Sequence, residues 1–156
     1  MNKLIKKSKG SVIARQDADD TSIPNRLEIQ MESMILKNLD FCTSRAFIKN
    51  SNRLIPNLSH LFPPKIVIKY KNPFIHGTLV IKKSIMLEIG GYDENFKYSQ
   101  DYKLFIDLFK MYKKSYFIKT PLYILNMEDN ISSKFKEKQK YYAKCAQKNL
   151  VPDNAR

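Results

Sequence analysis

The chain has 156 residues, enough for one domain with a hydrophobic core, and its 43% hydrophobic and 12% aromatic content excludes a largely disordered protein. Its 28 Lys and Arg against 15 Asp and Glu give a net charge of +13, which favours anionic partners without choosing among nucleic acid, acidic lipid and phosphorylated substrates. Cys42 and Cys145 lie far apart without zinc-type spacing, so neither a disulfide framework nor a zinc site is expected.

The N-terminal part of the sequence predicts a strand, an acidic turn and a helix. The segment "SVIA" (residues 11–14) is typical of the end of a short buried strand. Hydroxyl residues and an early proline in residues 21–24 predict the start of a helix that continues to about Lys37. Apolar residues at helical spacing predict a buried stripe on this helix, formed by Leu27, Met31, Met34 and Ile35. The basic residues 1–10 lack the apolar core of a signal peptide, and no apolar run is long enough to span a bilayer, so a cytoplasmic protein is expected, either soluble or peripheral on the membrane.

The middle of the chain is predicted to contain loops, strands and one short helix. Residues 40–63 are interpreted as loop and short irregular pieces, although "DFCTSRAFI" within them is also compatible with a strand. Residues 65–70 and 74–84 are rich in strand formers and are predicted to be strands. Ser84 is the expected cap of a short helix that ends at Gly90-Gly91, where a left-handed backbone is usual.

Three further elements complete the predicted fold. A helix carries an apolar face of aromatic and aliphatic residues: Tyr102, Phe105, Leu108, Phe109 and Tyr112. Residues 115–125 predict one or two late strands, and a basic helical pattern runs from Ser132 to near Pro152. The lysines of residues 136–148 favour a solvated face, with attraction to a membrane surface as the second interpretation. Residues 1–130 are therefore predicted as the main domain and residues 131–156 as a basic helix and tail.

Three carboxylates follow the first predicted strand within four positions: Asp17, Asp19 and Asp20. In an extended strand Asp17 and Asp19 would share one face, with Asp20 on the other. Mg²⁺ and Mn²⁺ bind such oxygens and complete their shells with water and phosphate, and the carboxyl edge of a sheet is the usual ligand location in α/β proteins. The alternative is that Asp19 or Asp20 only caps the following helix and complements its dipole.

Two longer blocks carry a resemblance to a known family. "KGSVIARQDADDTSIPNRLEIQ" (residues 9–30) resembles the segment around the DXD motif of family 2 glycosyltransferases, which are inverting enzymes with a GT-A-type fold. "NPFIHGTLVIKKSIMLEIGGYDENFKYSQDYKLFIDL" (residues 72–108) is similar to the acceptor-side segment of that family, with its N-P, H, GGYDE-x-F and D-Y-x-L elements in order. The resemblance implies an α/β fold, a partial and N-terminally truncated GT-A-type mixed sheet flanked by helices.

The resemblance also implies roles for individual residues. Asp17 and Asp19 would hold a divalent metal, Mn²⁺ or Mg²⁺, and together with Arg15 the diphosphate of the donor. Asp101 in "SQDYKL" matches the position of the catalytic base. The residues where donor sugar and acceptor would meet are His76, Gly91, Tyr92, Asp93 and Gln100.

The implied reaction is transfer of a sugar from a nucleotide diphosphate, UDP above all, to a hydroxyl of a saccharide or lipid-linked acceptor, with inversion. The metal would neutralise the leaving phosphate, and a carboxylate base would take the proton of the attacking hydroxyl. Such a reaction fits the synthesis of a surface polysaccharide or lipopolysaccharide. Nucleic acid is not expected as a partner.

Each of these site residues also has a simpler interpretation. Asp101 is compatible with a first-turn acid behind a Ser99 cap, and His76 with a buried, hydrogen-bonded histidine. Gly90-Gly91 is compatible with plain helix termination, and Asp93 with a turn residue.

The sequence departs from the family pattern at two places. Relatives have several strands and helices before the DXD segment, and these grip the nucleotide base, whereas few residues precede it here. Near the C-terminus relatives show a Y-R-x-H-type stretch, where this chain has Asn126 and Glu128. The alternative predictions are therefore a truncated, inactive or split glycosyltransferase that needs a separate N-terminal half, and a basic polyanion-binding protein.

Overall fold

The computed structural model describes residues 1–51, 53–111, 113–127 and 135–153. A mixed sheet forms its centre, and its strands are β1 (Val12–Ala14), β2 (Thr21–Ser22), β3 (Phe41–Ile48), β4 (Leu54–Ile55), β5 (Val80–Lys82) and β6 (Ser115–Leu125). Their order is β1-β5-β3-β6-β2, with β4 added beside β3. Strands β3 and β6 run parallel and the other pairs are antiparallel, so β1, which carries the acidic turn, has β5 as its neighbour at one end of the described sheet.

Helices cover the sheet. They are α1 (Asn2–Lys7), α2 (Arg26–Leu36), α3 (Pro64–Val67), α4 (Lys83–Glu88), α5 (Gln100–Lys110) and α6 (Lys136–Lys148). Two short 3-10 turns lie at Ser59–Leu61 and His76–Thr78. The mixed sheet with flanking helices confirms the predicted α/β class. No described helix has the length and apolar composition needed to cross a lipid bilayer.

The largest core cluster joins α5 and α6 to the sheet. Phe105 of α5 has no exposed surface and packs against Phe74, with ring centroids 4.6 Å apart. Tyr142 and Cys145 of α6 are buried in the same cluster. Helix α6 thus combines a buried face with a lysine-rich exposed one. The predicted boundary between residues 130 and 131 lies outside the described residues.

Several predicted elements are confirmed. Residues 12–14 form a strand, and residues 115–125 form one strand rather than two. The interpretation of residues 40–63 as loop and irregular pieces is wrong for Phe41–Ile48, which form β3, as the strand-forming character of "DFCTSRAFI" allowed. The apolar face of α5 is also confirmed, with Tyr102 and Leu108 buried. Its predicted member Tyr112 lies outside the described residues.

The predicted strand at residues 65–70 is wrong, because these residues begin in α3. Pro63 and Pro64 precede the segment, and Pro64 occupies the first helical position, where its fixed φ favours a helix. Of the predicted strand 74–84, only Val80–Lys82 forms a strand, since His76–Thr78 forms a 3-10 turn and α4 begins at Lys83. Helix α4 already begins at Lys83, so Ser84 is not its cap.

The predicted start of α2 is also wrong, and its predicted buried stripe is confirmed only in part, since Met34 is buried. Thr21–Ser22 form strand β2, and the helix begins only at Arg26. Leu27 and Ile35 are 50% and 72% exposed. The buried face also includes Arg26 and Gln30, because Arg26 donates to the Arg15 carbonyl and Gln30 donates to the Thr78 carbonyl.

Candidate functional site

A cleft of about 750 Å³ brings residues of both sequence blocks together, and we call it the Asp101 cleft. Arg15 and Asp17 enter it from the end of β1, and His76 enters it from the 3-10 turn before β5. Gln100 and Asp101 enter it from the first turn of α5. Five of the predicted site residues therefore share one cleft although they come from distant parts of the sequence.

The acidic segment is a turn rather than an extended strand. The Asp20 amide donates to the Asp17 carbonyl at 3.3 Å, and the Arg15 guanidinium forms an ion pair with the Asp17 carboxylate. Asp19 is exposed in the same turn. The Asp20 carboxylate is used structurally, because it accepts the Asn126 amide at 2.7 Å and so fastens the turn to the end of β6. Burial raises the pKa of Asp20 above its usual value.

A divalent cation takes carboxylate oxygens and completes its shell with water and substrate phosphate. Of the two carboxylates predicted to hold it, Asp17 lines the Asp101 cleft, whereas Asp19 is exposed in the same turn and does not line the cleft. Within residues 1–51, 53–111, 113–127 and 135–153, no group of three His, Cys, Asp or Glu side chains could hold a metal ion. A cation bound at Asp17 would therefore depend on oxygens of water and of the substrate phosphate. It would also compete with Arg15 for the Asp17 carboxylate.

A buried arginine supports the acidic turn from behind. Arg26 is 1% exposed, and its guanidinium donates to the Gln30 Oε1 at 2.8 Å and to the Arg15 carbonyl at 2.6 Å. It also donates to the Gln16 Oε1 at 3.1 Å and the Ser22 Oγ at 2.9 Å. Burial lowers the pKa of Arg26. The backbone around Asp17 is thus held by one side chain that comes from α2.

Tyr123 of β6 completes this support. Its ring lies 4.9 Å from the Arg26 guanidinium carbon, and its hydroxyl accepts the Asp17 amide at 3.1 Å. A Cβ at Gly77 would lie 2.5 Å from the same hydroxyl, so the close approach requires glycine there. Sequence reasoning missed Arg26, Gln30 and Tyr123 as parts of the site, although the four-residue spacing of Arg26 and Gln30 was a signal that both lie on one helix face.

Asp101 is held in place by Asn72. The Asn72 Nδ2 donates to the Asp101 Oδ2 at 2.7 Å, and the Phe74 amide donates to the Asn72 Oδ1 at 3.0 Å, which fixes the orientation of the amide group. Burial raises the pKa of Asp101, and the negative charge of Asp17 acts in the same direction. Asp101 is thus a stronger base than an exposed aspartate, a property suited to proton abstraction.

His76 and Tyr92 form a neutral pair beside Asp101. A hydrogen bond of 2.6 Å joins the His76 Nε2 to the Tyr92 hydroxyl. Burial lowers the pKa of His76 to about 3 and raises the pKa of Tyr92 to about 12. Both side chains are therefore uncharged at physiological pH. His76 lines the Asp101 cleft, whereas Tyr92 lies buried behind it.

The rest of the predicted glycine loop lies away from the Asp101 cleft. The Asp93 Oδ1 accepts the Asn95 amide at 3.0 Å, which makes Asp93 a turn residue. Gly91 has φ +78 and faces α1, where the Asn2 side chain donates to the Tyr92 carbonyl and accepts the Tyr92 amide, both at 2.9 Å. Gly91 and Asp93 therefore fix the loop that supports His76 through Tyr92. Asn126, predicted on the leaving-group side, contributes its backbone amide to Asp20, and Glu128 lies outside the described residues.

Gly91→Ala is expected to lower the free energy of unfolding by about 2 kcal/mol or more. The left-handed backbone at Gly91 disfavours a residue with a side chain. The new Cβ would also lie 2.6 Å from the Asn2 Oδ1, so the two hydrogen bonds between Asn2 and Tyr92 would break. Gly90→Ala is the matched control, because Gly90 has φ +80 but open space around it, and about 1 kcal/mol is expected there. Urea unfolding measures both, and equal losses would show that the Asn2 contact does not contribute.

Comparison with known proteins connects this geometry to glycosyltransferases. The chain is 37% identical over 109 residues to the O-antigen biosynthesis glycosyltransferase WbnJ of Escherichia coli, covering 68% of this chain and 42% of WbnJ. It is 31% identical over 150 residues to the uncharacterized glycosyltransferase MJ1057 of Methanocaldococcus jannaschii, covering 91% of this chain and 51% of MJ1057. The chain thus spans about half the length of the curated relatives it matches. No protein-family model matches the chain.

Solved structures agree on the fold. Residues 1–349 of S. aureus TarS superpose with a TM-score of 0.67 at 13% identity, covering 99% of this chain and 45% of that fragment. The complex of the same fragment with UDP-GlcNAc has the same TM-score, and 47% of the fragment is covered. In sequence the chain is therefore similar to part of two glycosyltransferases, and its fold corresponds to part of the GT-A-type fold of TarS.

Proposed function

We propose that the chain carries the metal-binding turn and the catalytic base of an inverting glycosyltransferase that uses a UDP-sugar. The observation that carries the proposal is the Asp101 cleft, where the Asp17 turn and the partly buried Asp101 face one space. The proposed acceptor is a saccharide or a lipid-linked saccharide of a surface polysaccharide. WbnJ, named for O-antigen biosynthesis, and the TarS complex with UDP-GlcNAc support this choice of pathway class and donor.

Each residue has a defined part in the proposed reaction. Asp101 accepts the proton of the acceptor hydroxyl while that oxygen bonds to the anomeric carbon from the face opposite the leaving UDP. The bond between the anomeric carbon and UDP breaks, so the product has the inverted configuration. Asp17 and Asp19 would hold a divalent cation, which supplies positive charge to the leaving diphosphate. Arg15, which pairs with Asp17 in this structure, would bind the same diphosphate.

A second candidate is that this activity requires another polypeptide. Strand β1 has β5 as its neighbour in the described sheet, and its other edge presents backbone groups that a further strand could pair with. Leu4 of α1, which precedes β1, is 73% exposed. In this candidate the chain binds UDP weakly alone and gains affinity when a polypeptide pairs with β1.

Calorimetric titration with UDP, with and without Mn²⁺, tests the donor site. We expect metal-dependent binding by the wild-type chain and at least a tenfold loss in the Asp17→Asn/Asp19→Asn variant, because both proposed metal ligands lose their charge. Glu28→Gln/Glu32→Gln is the matched control, since these two carboxylates are exposed on α2 and the same charge is removed.

Two results would contradict the autonomous donor site. A folded wild-type chain that does not bind UDP would favour the requirement for a second polypeptide. Binding that needs no metal, is equally weakened in both variants and falls steeply with salt would instead favour a general polyanion-binding protein.

A further inference from the structure

Three lysines line the Asp101 cleft in addition to the residues assigned above. They are Lys71, which directly precedes the Asp101 partner Asn72, Lys97, which lies before α5, and Lys140 of α6. All three are exposed. The proposed reaction uses none of them, so their positive charge in the same space as the catalytic base needs another explanation.

The charges of these lysines are available to a ligand. Among the described residues, no carboxylate lies within ion-pair distance of Lys71 or Lys97. Lys140 pairs with Glu137 at 2.8 Å, but both side chains are largely exposed, and such pairs contribute little. A bound anion would therefore displace only one weak protein contact.

Helix α6 is fixed as a wall of the cleft by two glutamines. The Gln139 Oε1 accepts hydrogen bonds from the Ser99 amide at 3.0 Å and the Ser99 hydroxyl at 2.8 Å. Ser99 directly precedes α5 and has a φ of +51. The Gln147 Nε2 donates to the Tyr70 carbonyl at 2.8 Å and to the Tyr102 hydroxyl at 3.0 Å. These bonds tie α6 to the segments next to Lys71 and Asp101, so Lys140 has a defined place beside the base.

The three lysines line the same cleft as Asp101, so an anion bound by them would lie in the space that the reacting hydroxyl must enter. Phosphate fits three ammonium groups better than a carboxylate does, because a phosphate monoester carries close to two negative charges near neutral pH and a carboxylate carries one. Lysine also binds phosphate well as a point charge.

We propose that the acceptor carries a phosphate group that binds Lys71, Lys97 and Lys140 while its hydroxyl reaches Asp101. This inference rests on the proposed function, because it assigns the lysine side of the Asp101 cleft to the acceptor. The phosphate belongs either to the saccharide itself or to a lipid that carries it, and both sources share this recognition chemistry.

Nuclear magnetic resonance titration of the ¹⁵N-labelled chain, with and without saturating UDP and Mg²⁺, tests the proposal. The probes are glucose 6-phosphate and glucose, which differ only in the phosphate. We expect glucose 6-phosphate to shift the amide signals of the three lysines, and glucose to leave them unchanged. The Lys71→Gln/Lys97→Gln/Lys140→Gln variant is expected to bind glucose 6-phosphate roughly tenfold more weakly, because three exposed charge contacts are lost.

The control removes the same charge elsewhere. Lys7, Lys49 and Lys119 are exposed and lie outside the lining of the Asp101 cleft, so Lys7→Gln/Lys49→Gln/Lys119→Gln should keep the wild-type affinity. A lipid source of the phosphate is tested by sedimentation with phosphatidylglycerol vesicles against phosphatidylcholine vesicles. Binding of either phosphate probe that is lost in the cleft variant and kept in the control supports the proposal and identifies the source.

The proposal is overturned if both triple variants lose affinity equally, since general charge would then explain the binding. It is also overturned if glucose 6-phosphate competes with UDP, because the lysines would then belong to the donor site. The UDP titration is a separate measurement, so absence of donor binding would refute the proposed function without affecting the lysine result.

Discussion

Asp101→Asn is expected to lower the sugar-transfer rate by roughly 100- to 10,000-fold while UDP binding is unchanged. The carboxylate is the proposed acceptor of the hydroxyl proton, whereas an amide at this position can still accept the Asn72 hydrogen bond of 2.7 Å without acting as a base. Release of UDP from a panel of UDP-sugars in the presence of acceptor measures the rate, and calorimetry measures UDP binding. A variant that keeps its rate would show that the base lies elsewhere.

The same substitution is expected to stabilise the fold near neutral pH. Burial raises the pKa of Asp101 in the folded chain above the unfolded value of 3.8, so the folded state binds this proton more tightly than the unfolded state. Stability from this group is therefore greatest below the unfolded pKa and falls as the pH rises through the window up to the folded pKa. Asparagine does not ionise, so the variant does not lose this stability as the pH rises. We expect the midpoint of thermal unfolding of Asp101→Asn to exceed that of the wild type at pH 7.

Asp107→Asn on the same helix is the matched control. Asp107 pairs with the Lys103 Nζ at 2.6 Å, in an i,i+4 pair away from the Asp101 cleft. The transfer rate should be unchanged, and the free energy of unfolding should fall by up to about 1 kcal/mol. A gain of stability with a loss of rate would distinguish Asp101 from a structural first-turn acid, which would lose stability when its charge is removed.

The secondary-structure elements that carry Asp17 and Asp101 could be predicted from local sequence, because both residues lie in short, ordered segments. Asp17 follows a strand directly, and Asp101 stands in the first turn of a helix, so each was assigned to its element from neighbouring residues. That both face one cleft followed from the resemblance of two blocks to one family. Spacing alone gives no distance between them, since the sheet that joins β1 to the start of α5 depends on long-range pairing.

The wrong secondary-structure and burial predictions arose where a buried polar residue or an adjacent proline determined the local structure. Hydrophobic periodicity assigned the buried face of α2 to Leu27 and Ile35, because it counts arginine and glutamine as exposed. Strand propensity at residues 65–70 was overridden by Pro64 at the first position of α3. The partner of Asp101, Asn72, lies 29 residues away in sequence, and no periodic pattern reports such a bond.

Arg26→Met is expected to lower the free energy of unfolding by about 3 kcal/mol and to weaken metal-dependent UDP binding. The substitution keeps most of the side-chain volume. It also removes the free-energy cost of burying a cation, a cost that is seen in the lowered pKa of Arg26 in the folded chain. It also leaves the Gln30 Oε1 and the Arg15 carbonyl without their donor inside the protein. Because an unsatisfied buried acceptor costs about 1–3 kcal/mol, the loss of two outweighs the gain.

The backbone of the acidic turn explains why binding should weaken together with stability. Arg26 holds the carbonyl of Arg15, two residues before Asp17, so its removal frees the turn that carries both proposed metal ligands. Arg53→Met is the control, since Arg53 is exposed and a change within about 0.5 kcal/mol is expected. Urea unfolding and UDP calorimetry test the two effects separately. If Arg26→Met loses stability but binds UDP and metal like the wild type, Arg26 supports the core without positioning the turn.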